Sequence, residues 1–177
     1  PDGLWVKLGG QKYNYEVSPG EQQYRRGIYV VLKRGSPYPS FVTFDATERM
    51  TCVTRRSRSN TPLQSLVLLN DPVYTEAAFA FGRRILCESP DDTDTSRIGY
   101  GFRIAVSRHP TASEVNLLQK LLNSERKGLV ANPKKVEAII KDHSAIDIPG
   151  SMDVNELAAW YVIAATLLNL DETITKN

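Results

Sequence analysis

Cysteine and histidine are scarce in this chain of 177 residues, with two of each. Two thiols cannot build a disulfide framework or a four-thiolate zinc site. The Cys-x-x-Cys-His motif that attaches haem is missing, and neither His109 nor His143 has a second histidine at metalloprotease spacing. Both histidines are read as surface or capping residues. There is no glycine-rich loop of the phosphate-cradling type and no Gly-x-Ser-x-Gly elbow. The sequence therefore calls for no metal and no cofactor, and it offers no set of catalytic residues. No apolar run reaches the roughly 18 residues of a membrane-spanning helix. The longest, Leu157 to Leu170, is broken by Thr166 and Asn169.

An excess of one charge is also lacking. Lys and Arg number 22 against 20 Asp and Glu, a net charge of +2. That balance excludes a histone-like, nucleic-acid-coating protein. Eleven Gly and ten Pro are an average share, so collagen-like and linker character are excluded too. What is present is ordinary for a globular domain, with 41% hydrophobic and 24% charged residues. The chain is long enough to bury a core without staples. It opens on Pro1-Asp2-Gly3-Leu4-Trp5, without an initiator Met or the segments of a signal peptide, and is expected to be a piece of a longer polypeptide.

The first part, residues 1–47, is predicted as an irregular to β subregion packed on a helical domain spanning 48–177. Lys12–Val17 is short, aromatic and bounded by Gly9-Gly10 and Ser18-Pro19-Gly20. Gly27–Lys33 is β-branched and aromatic, and Gly35-Ser36-Pro37-Tyr38-Pro39 forces a turn. Phe41–Phe44 could return as the partner strand, which predicts a small hairpin or a three-stranded element. For 24–34 a helix stays open, because a short apolar run does not fix its own period.

From Thr61 onward the signals are helical, and about six helices are predicted. Thr61-Pro62 is an N-cap followed by the one helical position that favours proline. Leu63, Leu66, Val67 and Leu69 make the short helix that follows apolar nearly all round, which predicts burial. Asn70-Asp71-Pro72 repeats the device, and Val73, Ala77, Ala80, Phe81 and Ile85 then recur at helical spacing. A helix with Ile98, Phe102, Ala105 and Val106 on one face comes next. Thr111-x-x-Glu114 is a reciprocal capping box before Val115, Leu118, Leu121, Leu122 and Leu129. Asn132-Pro133 starts a shorter helix, and 143–152 is predicted as a loop. Asp153 to Glu156 has capping-box spacing before the most apolar helix, which is expected to be central. Cys52 and Cys87 are read as free, buried small side chains, or as one disulfide in an exported protein.

The segment Arg49 to Gln64 stands out chemically. The sharpest basic excess in the chain lies between Arg25 and Arg58, eight Lys and Arg against Asp45 and Glu48. Guanidinium groups and hydroxyls here run into a helix N-terminus, where free N–H groups and the helix dipole favour an anion. Arg55, Arg56, Arg58, Ser59, Asn60, Thr61 and Gln64 are the candidate anion-binding residues. The competing reading is that the arginines pair with nearby acids while Asn60 and Thr61 only cap the helix. Tyr13, Tyr15, Tyr24, Tyr29 and Tyr38 interleave with the basic residues but fit a half-buried element better than a base-stacking surface, which argues against nucleic acid.

Several stretches together resemble one domain family. They are Tyr24-Arg25-Arg26-Gly27-Ile28-Tyr29, Phe44-Asp45-Ala46, Arg55-Arg56-x-Arg58-x-Asn60-Thr61-Pro62-Leu63-Gln64, Leu68-Leu69-Asn70-Asp71-Pro72 and Leu168-Asn169-Leu170-Asp171-Glu172. The chain is similar, from about residue 4 to its end, to the C-terminal planctomycete-specific domain of unknown function. That domain occurs in large exported bacterial proteins that often carry a cytochrome-c-like domain. The resemblance implies a periplasmic or cell-envelope fragment and no assigned activity; haem would belong to the other domain. Together these features predict a mainly α, irregular bundle acting as a non-catalytic interaction or scaffold module. Its partners would be other domains of the same polypeptide, or an acidic polysaccharide or protein at the basic segment. The alternative is part of an active site completed by further domains.

Overall fold

The computed structural model describes residues 18, 20–30, 37–47, 51–55 and 57–175. Two compact units divide the chain, Pro1–Ser59 and Asn60–Asn177.

In the first unit the described elements are two 3₁₀ turns, Gly20–Tyr24 and Gly27–Tyr29, and the short helix α1, Pro39–Thr43. Pro39 sits in the first turn of α1, where its missing N–H costs nothing. Phe41, within α1, meets Tyr38 edge to face at 5.5 Å. A Cβ added at Gly27 would lie 2.8 Å from the Phe41 ring, so a side chain at 27 would require that ring to shift.

The hairpin expected here is not supported. Phe41–Thr43 is helical and Gly27–Tyr29 is a 3₁₀ turn. Both runs are short and apolar, so tertiary setting and the Pro39 start decide their period rather than β-branching. The strand expected at Lys12–Val17 lies outside the described residues, as do residues 31–33. The described part of the protein is otherwise mainly helical, as the periodicity indicates.

The second unit contains α2 (Pro62–Asn70), α3 (Pro72–Glu88), α4 (Asp94–Val106), α5 (Ala112–Ala131), α6 (Pro133–Asp142), α7 (Val154–Leu168) and the short α8 (Asp171–Ile174). Its starts are set by local chemistry. Thr61 and Gln64 form a full capping box on α2, as Thr111 and Glu114 do on α5. Asp71 ends α2 and caps α3, accepting from the Val73 N–H at 3.0 Å. The start of α7 departs from expectation. Asp153 accepts from the Asn155 N–H at 2.8 Å, and Glu156 is turned to other partners described below.

The core forms around α7. Leu157, Ala158, Ala159, Trp160, Ile163, Ala164 and Leu167 are all buried, a helix apolar almost all round and therefore enclosed. Phe79 and Ile85 of α3, Ile98 and Phe102 of α4, and Leu118, Leu122 and Leu129 of α5 are buried around the same core. Each such side chain contributes on the order of 1.5–3 kcal/mol on burial. Helix α3 packs tightly on α7 at Gly82, where an added Cβ would stand 3.0 Å from the Trp160 main chain. At Gly101 of α4 an added Cβ would stand 2.7 Å from Ile85 Cδ1 and 3.2 Å from Leu167 Cδ1.

Helix α2 reverses the predicted burial. Leu63, Leu66 and Leu69 are 57%, 57% and 49% exposed, whereas Gln64 is 1% exposed. The capping box explains the inversion. Gln64 occupies the third helical position and must turn its amide back to the Thr61 N–H, and this fixes the rotation of a helix only nine residues long. With polar Gln64 held inward, the leucines three residues apart fall on the opposite side. Cys52 and Cys87 are free and exposed, so neither is the buried side chain expected.

Candidate functional site

The residues singled out for anion binding divide between the two units. Ser59 is held by Asp45: its N–H donates to Oδ2 at 2.7 Å and its hydroxyl reaches the carboxylate at 2.8 and 2.9 Å. Arg55 and Arg58 are exposed, and Arg56 lies outside the described residues. In the second unit, Asn60, Thr61 and Gln64 come together at the α2 entrance. The Thr61 N–H donates to Gln64 Oε1 at 2.9 Å, and the Gln64 N–H donates to Thr61 Oγ1 at 3.3 Å. Asn60 Nδ2 donates to Asp171 Oδ1 at 2.6 Å. Ser59, Asn60, Thr61 and Gln64 therefore have partners within their own unit: Thr61 and Gln64 make the cap, Asn60 ties the entrance to α8, and Ser59 closes on Asp45.

The strongest charge clusters lie elsewhere, and each is closed on itself. Arg126 of α5 donates to Asp94 at 2.6 and 2.7 Å and also to both oxygens of Glu156. Glu156 in turn accepts the Trp160 indole N–H at 2.7 Å. One guanidinium thus joins the first turns of α4 and α7 to α5 in a bidentate pairing. Its hydrogen bonds hold the Asp94 carboxyl below the usual range against the opposing cost of burial, and they raise Arg126 itself. Arg108, just past the end of α4, does the same between Glu114 and Glu172, with contacts of 2.6–3.0 Å. The Arg108 guanidinium and then the Thr111 N–H and hydroxyl pull Glu114 down to about 2. The guanidinium also lies 4.8 Å over the Phe102 ring.

A groove of about 740 Å³ runs between α6, the 143–153 connection and the first turn of α7. That volume lies within the range of ligand-sized sites. Val136, Ile140, Ile146, Ile148 and Val154 give it apolar walls, and Glu137, Lys141 and Asp147 bring charge to it. The connection is pinned rather than loose. The Ile146 N–H donates to His143 O at 3.0 Å, the Met152 N–H donates to Pro149 O at 2.9 Å, and Arg83 of α3 donates to the Asp147 carbonyl. His143 is buried at the end of α6, with its Nδ1–H on Ile139 O at 2.8 Å and its ring stacked on Phe79 at 4.6 Å and 7°. Tyr161 lies 5.2 Å from the same ring, and its burial, with the Asp142 charge, pushes its hydroxyl up. His143 is thus a packed cap, whereas His109 is exposed.

Sequence reading did not find this groove. The one available signal was two isoleucines, Ile146 and Ile148, placed in a segment predicted as a loop. Among the described residues, no three His, Cys, Asp or Glu side chains are grouped to hold a metal. No described helix is long and apolar enough to cross a membrane.

A mainly helical domain, with closed charge clusters and an apolar face and groove left uncovered, is the class of protein these features define. The chain belongs to the PSD1 family, described as protein of unknown function (DUF1553), whose family model matches residues 2–122. The match ends within α5, so the groove lies beyond it. No curated protein and no solved structure matches the chain.

Proposed function

We propose that this chain is a non-catalytic interaction module of a larger exported protein, and that it docks other domains of the same polypeptide through the leucine face of α2. The observation that carries this proposal is the inversion of α2, with Leu63, Leu66 and Leu69 outward and Gln64 inward. A contiguous row of half-exposed leucines marks an interaction surface rather than a solvated one. Val73, at the start of α3, is 53% exposed and extends the apolar character beyond α2. A face of one short helix is well below the roughly 800 Å² per partner of an independent complex. A tethered domain needs less, because its effective concentration replaces part of the contact energy. The polar clusters add support from the other direction, since Arg126 and Arg108 are both spent on their own acids.

The double variant Leu63→Glu, Leu66→Glu tests this. The melting of the chain should change little, within about 0.5 kcal/mol per site, as for surface positions. Docking to the rest of the polypeptide, followed by limited proteolysis, should be lost. A loss of stability above roughly 3 kcal/mol would make the leucines core residues and end the proposal.

A second reading is favoured by the exposure of Arg55 and Arg58. It has the basic segment take an acidic polysaccharide or an acidic protein. Replacing Arg55, Arg56 and Arg58 by Ala should then abolish salt-sensitive retention on heparin with melting nearly unchanged. Retention that survives the triple change counts against an anion site there.

A further inference from the structure

Helix α2 has little apolar hold on the rest of its unit. Among the described residues, none of its side chains belongs to the buried apolar cluster or to the half-buried apolar residues packed against that cluster. Its one fully buried side chain, Gln64, is polar and is committed to the cap. The leucines at 63, 66 and 69 are turned out, and Val67 and Leu68 are only half-buried. A helix of nine residues is not stable by itself. Two polar ties from the C-terminal segment reach it. Asn60 Nδ2, at the entrance, donates to Asp171 Oδ1 at 2.6 Å, and Asn169 Nδ2 donates to the Ser65 carbonyl at 3.4 Å. The second bond is long, and the oxygen of the same Asn169 amide is buried with no protein partner. That seam is weakly satisfied, and lifting α2 would open the oxygen to solvent. The stronger tie is Asp171, which begins α8. Its neighbour Glu172 takes Nε and Nη2 of Arg108 at 2.8 and 2.6 Å, and Thr173 Oγ1 donates to Leu167 O at 2.8 Å. A continuous series of contacts thus runs from Arg108 through α8 to Asn60.

We propose that α8 is a strap that keeps α2 in place, so that the Arg108–Glu172 joint governs how firmly the leucine face is displayed. Helices α2 and α8 then form a local unit that opens more readily than the core. The strap is a property of the chain alone; its regulatory meaning rests on the reading of α2 as a docking face. A partner that takes only the strapped helix is favoured by a closed strap and, by linkage, tightens it in return.

The test is amide hydrogen exchange of the full chain, comparing residues 66–70 of α2 with residues 78–85 of α3. Asn60→Ala removes the tie directly and should speed α2 exchange about fivefold, the worth of one hydrogen bond. Glu172→Gln touches only the far end of the strap and should speed α2 exchange about threefold, with α3 unchanged. In the double variant the two effects should not add, because the strap no longer has Asn60 to hold. Glu114→Gln gives up the other acid of Arg108 while leaving Glu172 in place, and should not move α2 relative to α3. Unaltered α2 exchange in Asn60→Ala or in Glu172→Gln would overturn the proposal. So would equal acceleration in α3, additive effects in the double variant, or a response to Glu114→Gln as large as that to Glu172→Gln. Glu172 is half-exposed. Should its variant not fold, Arg108→Lys takes its place, keeping the charge without the two-pronged hold. The docking variant Leu63→Glu, Leu66→Glu alters neither Asn60 nor Glu172, so either reading can fail while the other stands.

Discussion

At Gly82 and Gly101 the missing Cβ is a structural part. Alanine in a helix interior normally gains up to about 1 kcal/mol over glycine. At Gly82 that gain meets a rigid obstacle, because the atoms 3.0 Å from an added Cβ belong to the Trp160 main chain. Overpacking of this kind costs roughly 1–3 kcal/mol. Gly82→Ala should therefore lower stability by about 1–2 kcal/mol, whereas Gly128→Ala, with nothing within 4 Å, should raise it by about 0.5–1 kcal/mol. Urea titration of both variants checks the pair, and a gain at both positions would mean that α3 and α7 are not in close contact. At this scale Gln64 was the residue hardest to read. Its spacing from Thr61 is that of a capping box, yet the apolar count of its helix pointed to burial of the leucines instead. Composition gives no rotation; one hydrogen bond at the third position does.

Among elements, caps were the most legible feature. Thr111 with Glu114, Thr61 before Pro62 and Asp71 before Pro72 are local chemistry, complete within four residues, and each begins a helix where the sequence places one. The expected hairpin was illegible for the opposite reason, since a strand exists only through a partner and Phe41–Thr43 is a helical turn. The joint between α4, α5 and α8 depends on Arg108, and its pH response has a defined sign. Glu114 is depressed from 4.5 to about 2, and Glu172 is lowered by the same guanidinium. A carboxyl depressed by folding contributes stability that is present above its unfolded pKa and lost as pH falls through the folded one. Melting temperature should accordingly decline as pH falls from about 4.5 towards 2. Asp94, lowered mainly by Arg126, adds to the decline with the same sign. Glu114→Gln keeps an acceptor for the cap but gives up the ion pair. It should melt somewhat lower at neutral pH and fall less steeply in acid; an unchanged acid limb would show that Glu114 is not the group being titrated.

For the molecule as a whole, the sequence was most informative about what must be inside and least informative about what is left outside. The α7 run from Leu157 to Leu168 could only be a central helix, and it is. An apolar residue that the fold does not use is indistinguishable in sequence from one that it does, which is why α2 was expected inside and the groove went unseen. Leu63, Leu66, Ile146 and Ile148 became informative only when the core was complete without them. Such unspent apolar surface, beside charges that are already paired, is what the account turns into function. The most direct measurement places a single thiol on that surface, Leu66→Cys in a Cys52→Ser, Cys87→Ser background, and follows its maleimide labelling in the 177-residue chain and in the intact polypeptide. The account predicts fast labelling in the chain alone and labelling slowed at least about tenfold in the intact polypeptide, the mark of a covered face. Equal rates in the two would contradict it.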